Sequence, residues 1–311
     1  MTRLEPKRVT LTDVTLREYG QNVRRDDLHV FTPRSRVAIA LGLADAGFRD
    51  MEVLSCVHPA VAPAMEKDAL KTIAAGLSAL KGVHIITLVP NRAGFRNFLA
   101  CGLGPDGCNH TLGMFFSVVE AHNRANLGRT IGETLAEYRD IAREARAAGI
   151  RMTGYLSAAL GFREPGGTLI RPAVTTVNEY AEILFGFGVR TVTLSDLQGV
   201  ADPQETKRFF ETLLNLRKGE DTRRLGFHPH HVSGQAAVDN SAAAYAAGIR
   251  RFDASLGGTG GCVTGAPGNQ PTEGLVRRFH AAGIETGVDE KKVRDLSAAV
   301  RRIWYDRIPA G

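Results

Sequence analysis

The sequence predicts an α/β fold in which eight strand–helix units close into a (β/α)8 TIM barrel, followed by a C-terminal helical extension from about residue 288. Apolar, β-rich runs alternate with helical stretches along the 311 residues, and eight such units suit a barrel of this length. The main rival is an open doubly wound sheet, but the first strand is not followed by a Gly-rich GxGxxG turn. The closed barrel is therefore favoured.

Each unit carries its own local signals. The candidate strands lie, in chain order, in KRVTLTDVTL, MEVLSC, GVHIITLVP, CNHTLGMFFSV, RMTGYLSA, VRTVTLSDL, RRLGFHPH and RRFDASL. Thr32 and Pro33 form the N-cap and first-turn pair that begins a helix. Before four of the strands a glycine stands where a left-handed conformation ends the preceding helix: Gly47, Gly149, Gly188 and Gly248. No linker rich in Pro, Gly or Ser divides the chain, so we expect one domain over residues 1–311.

Composition and charge narrow the class of function. The chain is 43% hydrophobic and 23% charged, as in ordinary globular proteins. Its formal charge of +6 is spread over short clusters mixed with acids, which argues against a nucleic-acid partner and suits a polyanionic small molecule such as a nucleotide or coenzyme A. No apolar run approaches the roughly 20 residues of a membrane span, and the start MTRLEPKRVT lacks the apolar centre of a secretory signal. We expect a cytoplasmic protein with no membrane partner.

Polar residues at the carboxyl ends of barrel strands converge on one face, where barrel enzymes carry their sites. His228 and His230 lie two apart, so both can face the barrel axis. With a carboxylate from the first strand and an amide from the last loop they would suit Mg²⁺ or Mn²⁺. The spacing of the two histidines does not distinguish a metal site from a pair of hydrogen-bonded histidines in the core.

Several ordered motifs carry a family resemblance. TLREYGQN, MEVLSCVHPAVAPAM, TLVPNRAGF, GYLSAALG, HPHHVSGQ and GGTGGCVTGAPGNQPTE follow one another between about residues 9 and 290. Together they resemble hydroxymethylglutaryl-CoA lyase and its relatives in the DRE-TIM metallolyase superfamily. The resemblance implies a TIM-barrel lyase that needs a divalent metal, Mg²⁺ or Mn²⁺, and no organic cofactor other than the CoA of its substrate.

The resemblance also implies roles for individual residues. It assigns the divalent metal to four ligands: Glu18, His228, His230 and Asn269. It makes Arg17 the group that neutralises negative charge and Cys262 the acid that protonates the product enolate. Asp196 is our candidate for the base or proton relay, and Glu52 is expected to orient Arg17. Substrate contacts are expected from residues after the first strand and from the EAHNRANLG loop: Tyr19, Gln21, Asn22, Arg24 and Asn126. His122, in the same loop, is expected on the surface.

The reaction implied is the retro-Claisen cleavage of a 3-hydroxy-3-methylglutaryl-CoA-like thioester to acetyl-CoA and a keto acid. The sequence departs from the lyase pattern in several places: Glu18 stands where the family has aspartate, Tyr19 where it has glycine and His231 where it has aspartate, and the segment 262–269 is two residues shorter. We expect Tyr19 to lie near the metal and to reshape the substrate pocket.

Other functions stay open on the sequence. The departures favour, as an alternative substrate, a related thioester such as a 3-hydroxy-3-alkylglutaryl-CoA or citramalyl-CoA. A 2-oxo acid aldolase and a non-catalytic acyl-CoA-binding barrel are further alternatives. A condensing synthase of the isopropylmalate type fits less well, because extra C-terminal domains and a GER loop are absent from the sequence. A homodimer that pairs through the C-terminal helix is expected by analogy with relatives.

Overall fold

The computed structural model describes residues 7–100, 110–231, 234–261 and 268–304. Within these ranges the strands are β1 (Thr10–Asp13), β2 (Asp50–Ser55), β3 (His84–Leu88), β4 (His110–Ser117), β5 (Arg151–Ser157), β6 (Phe162–Arg163), β7 (Leu169–Ile170), β8 (Val192–Asp196), β9 (Leu225–His231), β10 (Arg251–Ala254) and β11 (Gly268–Asn269). The helices are α1 (Thr15–Asn22), α2 (Pro33–Asp45), α3 (Lys67–Leu77), α4 (Arg92–Ala100), α5 (Glu120–Leu127), α6 (Ile131–Ala147), α7 (Val174–Gly186), α8 (Pro203–Leu216), α9 (Gly234–Ala247), α10 (Thr272–Ala281) and α11 (Glu290–Trp304).

Eight of the strands form a closed parallel barrel. The order is β1, β2, β3, β4, β5, β8, β9 and β10, and β10 pairs in parallel with β1 to close the ring. Every residue of β2 and β8 is buried, as expected for parallel strands that are covered on both sides. The TIM-barrel prediction is therefore confirmed, and each of the eight predicted segments overlaps one barrel strand. The single-domain organisation stays a prediction.

Local signals place the helix ends as the sequence indicates. The Thr32 hydroxyl accepts a hydrogen bond from the backbone N–H of Ser35 at the start of α2, directly before Pro33. The four predicted helix-ending glycines have φ values between +68° and +122°: Gly47, Gly149, Gly188 and Gly248. Such values cost an L side chain energy but not glycine, so each residue ends its helix without strain.

Helix α11 is the predicted C-terminal extension. It packs against α2, α10 and the turn at Leu256–Gly258, and its last residue, Trp304, is fully buried. No helix in the described ranges is long and apolar enough to cross a membrane.

The first strand is shorter than the sequence suggests. It ends at Asp13, and α1 begins at Thr15. The Asp13 carboxylate accepts hydrogen bonds from the backbone N–H and the hydroxyl of Thr15. Arg17 and Glu18 therefore lie on a short helix above the barrel mouth. Another element absent from the prediction is the β6–β7 hairpin after β5.

Candidate active site

Three buried side chains converge at the carboxyl ends of the barrel strands. Glu18 comes from α1, and His228 and His230 from β9; one ligand atom of each lies within 4.8 Å of the others. The Nε2 atoms of the two histidines are 3.0 Å apart, and Nε2 of His228 is 3.7 Å from Oε1 of Glu18. Two imidazole nitrogens and a carboxylate oxygen that face one another in this way form a donor set suited to a divalent ion.

Asp253 fixes the orientation of one of these rings. Its Oδ2 lies 3.0 Å from Nδ1 of His228. Burial lowers the pKa of His228, but the hydrogen bond and charge of Asp253 outweigh burial and raise it. A carboxylate only accepts hydrogen bonds, so the proton stands on Nδ1 and, in the neutral ring, Nε2 presents its lone pair to the site. This carboxylate–histidine arrangement is the one that usually supports a metal ligand.

Sequence reasoning missed Asp253, although a signal was present. Phe252 of β10 pairs with Phe227 of β9, so the next residues along the two strands, Asp253 and His228, are neighbours. Asp253 could have been identified from the sequence. It is an acid on the strand next to the one that carries a candidate ligand, and it directly follows a buried apolar residue.

The protonation states also fit a metal site. Burial raises the pKa of Glu18, but the nearby Arg17, His230 and His228 outweigh burial and lower it below its usual range. Burial, with the charge of His228, lowers the pKa of His230 to about 3. Near neutral pH the carboxylate is therefore charged and the His230 ring neutral, which are the forms that bind a cation.

Asn269 reaches this group because the last loop folds back on β9. Strand β11 pairs antiparallel with the end of β9, and Asn269 lies opposite His230. Its buried side chain hydrogen-bonds Glu18 and donates to the backbone carbonyl of Thr259 at 3.1 Å. The structure thus brings together all four predicted metal ligands.

Gly260 lets the preceding segment pack directly on the ligands. Its φ is +83°, and a Cβ built there would lie 2.6 Å from the Cβ of Glu18 and 3.1 Å from Nδ2 of Asn269. Only a residue without a side chain fits this position.

Arg17 is held beside the ligand group by two acids. Its Nε donates a hydrogen bond to Oε2 of Glu52 at 2.5 Å. Its Nη1 donates to Glu18 and, at 3.0 Å, to Oε1 of Gln21. Burial disfavours the charged form of Arg17, but Glu18 and Glu52 outweigh burial and raise its pKa. Burial raises the pKa of Glu52, against the opposing effect of Arg17. Arg17 therefore stays cationic, with Glu52 fixing its direction.

Asp196 is engaged by the turn that follows β8. Its two oxygens accept hydrogen bonds from the backbone N–H groups of Val200 and Ala201, both at 3.0 Å. Burial raises its pKa to about 6, even though these two bonds lower it. The carboxylate therefore caps this turn, and its role as a base stays a prediction.

Tyr19 does not lie where we expected. Its ring stacks on Trp304, with the centroids 4.0 Å apart, and lies 5.1 Å from the ring of Phe31. Since successive residues on a helix are rotated by roughly 100°, the residue after Glu18 points away from the ligand group. The expectation that Tyr19 reshapes the substrate pocket is wrong, because its ring packs between α1 and α11.

Three of the other predicted substrate contacts lie at the surface, whereas the fourth, Gln21, is half-buried and accepts a hydrogen bond from Arg17. Asn22 is exposed and donates to the backbone carbonyl of Gly261 at 2.7 Å, which ties the end of α1 to the Gly-rich segment. The Arg24 side chain is 78% exposed and lies 3.5 Å from Asp27, and Asn126 is exposed on α5. Their substrate roles stay predictions.

His122 corrects another expectation, because it is buried rather than on the surface. Its ring packs against Phe162, with the centroids 4.7 Å apart, and burial lowers its pKa to about 4. Cys262, the predicted acid, lies outside the described residues, and nothing in the structure bears on it.

The closed barrel and the ligand group at its carboxyl-end face define a TIM-barrel enzyme with a candidate divalent-metal centre. The HMGL-like family model matches residues 8–300, and the chain belongs to this family. The hydroxymethylglutaryl-CoA lyase of Bacillus subtilis is 31% identical over 296 residues, which cover 94% of this chain and 92% of that relative. The hydroxymethylglutaryl-CoA lyase of Pseudomonas mevalonii is 32% identical, and the matched residues cover 86% of this chain and 84% of that relative.

Solved structures agree with the sequence comparison. A hydroxymethylglutaryl-CoA lyase from Acinetobacter baumannii, in complex with coenzyme A and 3-methylmalate, matches with a TM-score of 0.83 at 25% identity over 98% of this chain and 93% of that one. The Bacillus subtilis lyase matches with a TM-score of 0.82 at 28% identity over 98% of this chain and 96% of that one. The predicted family and the lyase class of enzyme are confirmed.

Proposed function

We propose that this enzyme is a divalent-metal-dependent carbon–carbon lyase that cleaves a 3-hydroxy-3-methylglutaryl-CoA-like thioester to acetyl-CoA and a keto acid. The observation that carries the proposal is the convergence of Glu18, His228 and His230 beside the cationic Arg17. The names of the relatives from Bacillus subtilis and Pseudomonas mevalonii support it, and the coenzyme A in the Acinetobacter complex supports an acyl-CoA substrate.

The donor set suits Mg²⁺ or Mn²⁺, held by Glu18, His228, His230 and Asn269. When bound, such an ion makes a substrate hydroxyl more acidic by acting as a Lewis acid. Asp253 supports this site by holding the His228 ring in one orientation.

Arg17 stabilises the negative charge that develops during cleavage. Its guanidinium is buried, stays charged, and is aimed by the hydrogen bond to Glu52. In a water-poor site a fixed cation of this kind needs no reorganisation as charge develops, so it lowers the barrier more than a mobile one.

Proton transfers complete the reaction. A base takes the proton of the tertiary hydroxyl, the carbon–carbon bond breaks as that oxygen becomes a ketone carbonyl, and the bonding electrons pass into the thioester enolate. We assign the base to Asp196, because it ends barrel strand β8 on the face that carries the ligand group, and burial raises its pKa toward neutral pH. We assign protonation of the enolate carbon to Cys262, so Cys262→Ser should lower turnover severely and leave metal content unchanged.

A related thioester stays the second candidate substrate, and Glu18 favours it. Where the lyases carry aspartate, Glu18 extends one methylene further, so its carboxylate reaches further from α1 toward His228 and His230. Tyr19 no longer supports this candidate, because its ring packs away from the ligand group.

The test is cleavage of hydroxymethylglutaryl-CoA by the chelated enzyme, with and without added Mg²⁺ or Mn²⁺. Metal-dependent release of acetyl-CoA and acetoacetate is expected. His228→Ala should abolish both release and Mn²⁺ binding, whereas His29→Ala, which changes an exposed histidine, should preserve both. Tight Mn²⁺ binding without cleavage would move the proposal to the related thioesters, and the absence of both would refute it.

Three further expectations from the sequence stay predictions: a homodimer, a cytoplasmic location and the absence of a nucleic-acid partner. The first is measured by light scattering of the purified chain.

A further inference from the structure

A polar layer closes the barrel at the end opposite the candidate active site. Four ionisable residues of this layer line one cavity, and each is the first residue of a barrel strand: Asp50 of β2, His84 of β3, Arg151 of β5 and Arg251 of β10. Together with several threonines they line a cavity of about 10 Å³, the space for one water-sized particle. Barrel interiors are usually filled by branched apolar side chains, so a charged layer here needs a partner for its charges.

The charges in this layer do not cancel. Asp50 accepts hydrogen bonds from Nδ1 of His84 at 2.8 Å and from Arg251 at 2.9 Å. The Arg151 side chain is half-buried, lines the cavity, and makes no hydrogen bond or ion pair with any residue that the structure describes. One guanidinium therefore faces the cavity as an unpaired cation.

The electrostatic field at Arg151 is also positive. Burial lowers its pKa, and neighbouring Arg190 and Arg251 lower it further, against the opposing effect of Asp50. A half-buried cation among other cations is stabilised by an anion that reaches it.

Two guanidinium groups, from Arg151 and Arg251, supply hydrogen-bond donors to the cavity. Guanidinium groups only donate, and the carboxylate oxygens of Asp50 are already engaged. The Thr111 hydroxyl lines the cavity, is buried, and has no hydrogen-bond partner among the residues described. The Thr153 hydroxyl, which also lines it, lies 2.8 Å from that of Thr191. The guanidinium groups and the threonine hydroxyls can all donate to an anion placed between them.

We propose that the cavity between Arg151, Arg251 and Thr111 binds a single monovalent, halide-sized anion such as chloride. A chloride ion is larger than water, so the half-buried Arg151 side chain would have to shift outward to admit it. The ion would then accept hydrogen bonds from the guanidinium and hydroxyl donors and neutralise the unpaired charge of Arg151. This proposal does not depend on the proposed lyase function, because the layer lies at the other end of the barrel.

The first test compares the melting temperature in chloride and in gluconate at equal ionic strength, since gluconate is too large to enter. A bound anion should raise Tm by about 2–4 °C for each tenfold increase in chloride above its dissociation constant. Arg151→Gln should remove the chloride-specific rise. Arg143→Gln, which changes an arginine that is 76% exposed on α6, should retain it. Equal Tm in the two salts, or a rise in phosphate with none in chloride, would overturn the proposal.

The second test uses the unmodified chain and so stays decisive if Arg151→Gln fails to fold. Crystals grown with bromide should give an anomalous scattering peak between the guanidinium groups of Arg151 and Arg251. Density in the cavity without an anomalous signal would identify water and refute the proposal.

Discussion

Gly260→Ala tests whether the Gly-rich segment holds the metal ligands in place. The added Cβ would lie 2.6 Å from the Cβ of Glu18, against 3.4 Å or more in an ordinary contact. The difference, 3.4 − 2.6 Å, requires Glu18 or the segment to move by about 0.8 Å. Misplacement on the order of 1 Å in an active site can lower the rate by about 100-fold. We expect a loss of this order in turnover, and a loss of Mn²⁺ affinity of about tenfold or more.

Gly283→Ala is the matched control. Gly283 has φ +67° and nothing within 4 Å of an added Cβ, so it shares the backbone strain of Gly260→Ala but not the collision. Both variants should lose about 1–2 kcal/mol from the strain of left-handed alanine. The measurements are Mn²⁺ titration by calorimetry and urea unfolding. Wild-type Mn²⁺ affinity in folded Gly260→Ala would refute the view that this segment positions Glu18 and Asn269.

Three other predictions follow from buried groups. Burial lowers the pKa of His110 from 6.5 to about 4, so between these pH values the unfolded chain binds more protons. The free energy of unfolding should therefore fall by up to about 3 kcal/mol as pH falls from 6.5 to 4, and urea titrations of His110→Gln should show a weaker dependence. Asp253→Asn keeps an oxygen near His228 but loses its charge, so calorimetry should show about tenfold weaker Mn²⁺ binding. Trp304→Ala removes the ring stacked on Tyr19 and should cost about 3–5 kcal/mol in urea unfolding.

Controls at exposed positions separate these effects from general damage. Asp221→Asn changes a surface carboxylate and should leave Mn²⁺ affinity unchanged. Leu216→Ala truncates a side chain that is 49% exposed and should cost much less stability than Trp304→Ala. An Asp253→Asn variant with undiminished affinity, or a Trp304→Ala variant as stable as Leu216→Ala, would contradict the reasoning for that residue.

Much of the fold could be predicted because its signals are local. Hydrophobic periodicity located every barrel strand, and four glycines located the ends of the helices before them. Strand patterns and helix ends are readable in this way because each depends on residues that are close in sequence. The histidine pair was also readable, because alternation along a strand puts His228 and His230 on one side. An amide ligand from the last loop was expected from the barrel geometry, and the resemblance assigned it to Asn269, whose position depends on the antiparallel return of β11 to β9.

The errors came from long-range geometry. The segment after Asp13 was interpreted as the end of a strand, and Tyr19 was therefore expected beside the ligands. This segment is a helix, which directs the Tyr19 ring toward Trp304. His122 reads as a polar residue on a surface helix, but the ring of Phe162 covers it. Asp253 supports His228 from a neighbouring strand, and that contact depends on barrel register.

The aromatic cluster of Tyr19, Phe31 and Trp304 joins the far end of the chain to the helix that carries Glu18. The packing of positions 19 and 304 is therefore coupled, and the effects of changes at the two positions on the free energy of unfolding should not be additive. Glycine at position 19, the residue of the lyases that the sequence resembles, would remove the stacking partner of Trp304 and leave a void beneath α11. A chain with glycine at position 19 should therefore be more stable with a different residue at position 304 than with tryptophan, which would lack its stacking partner there.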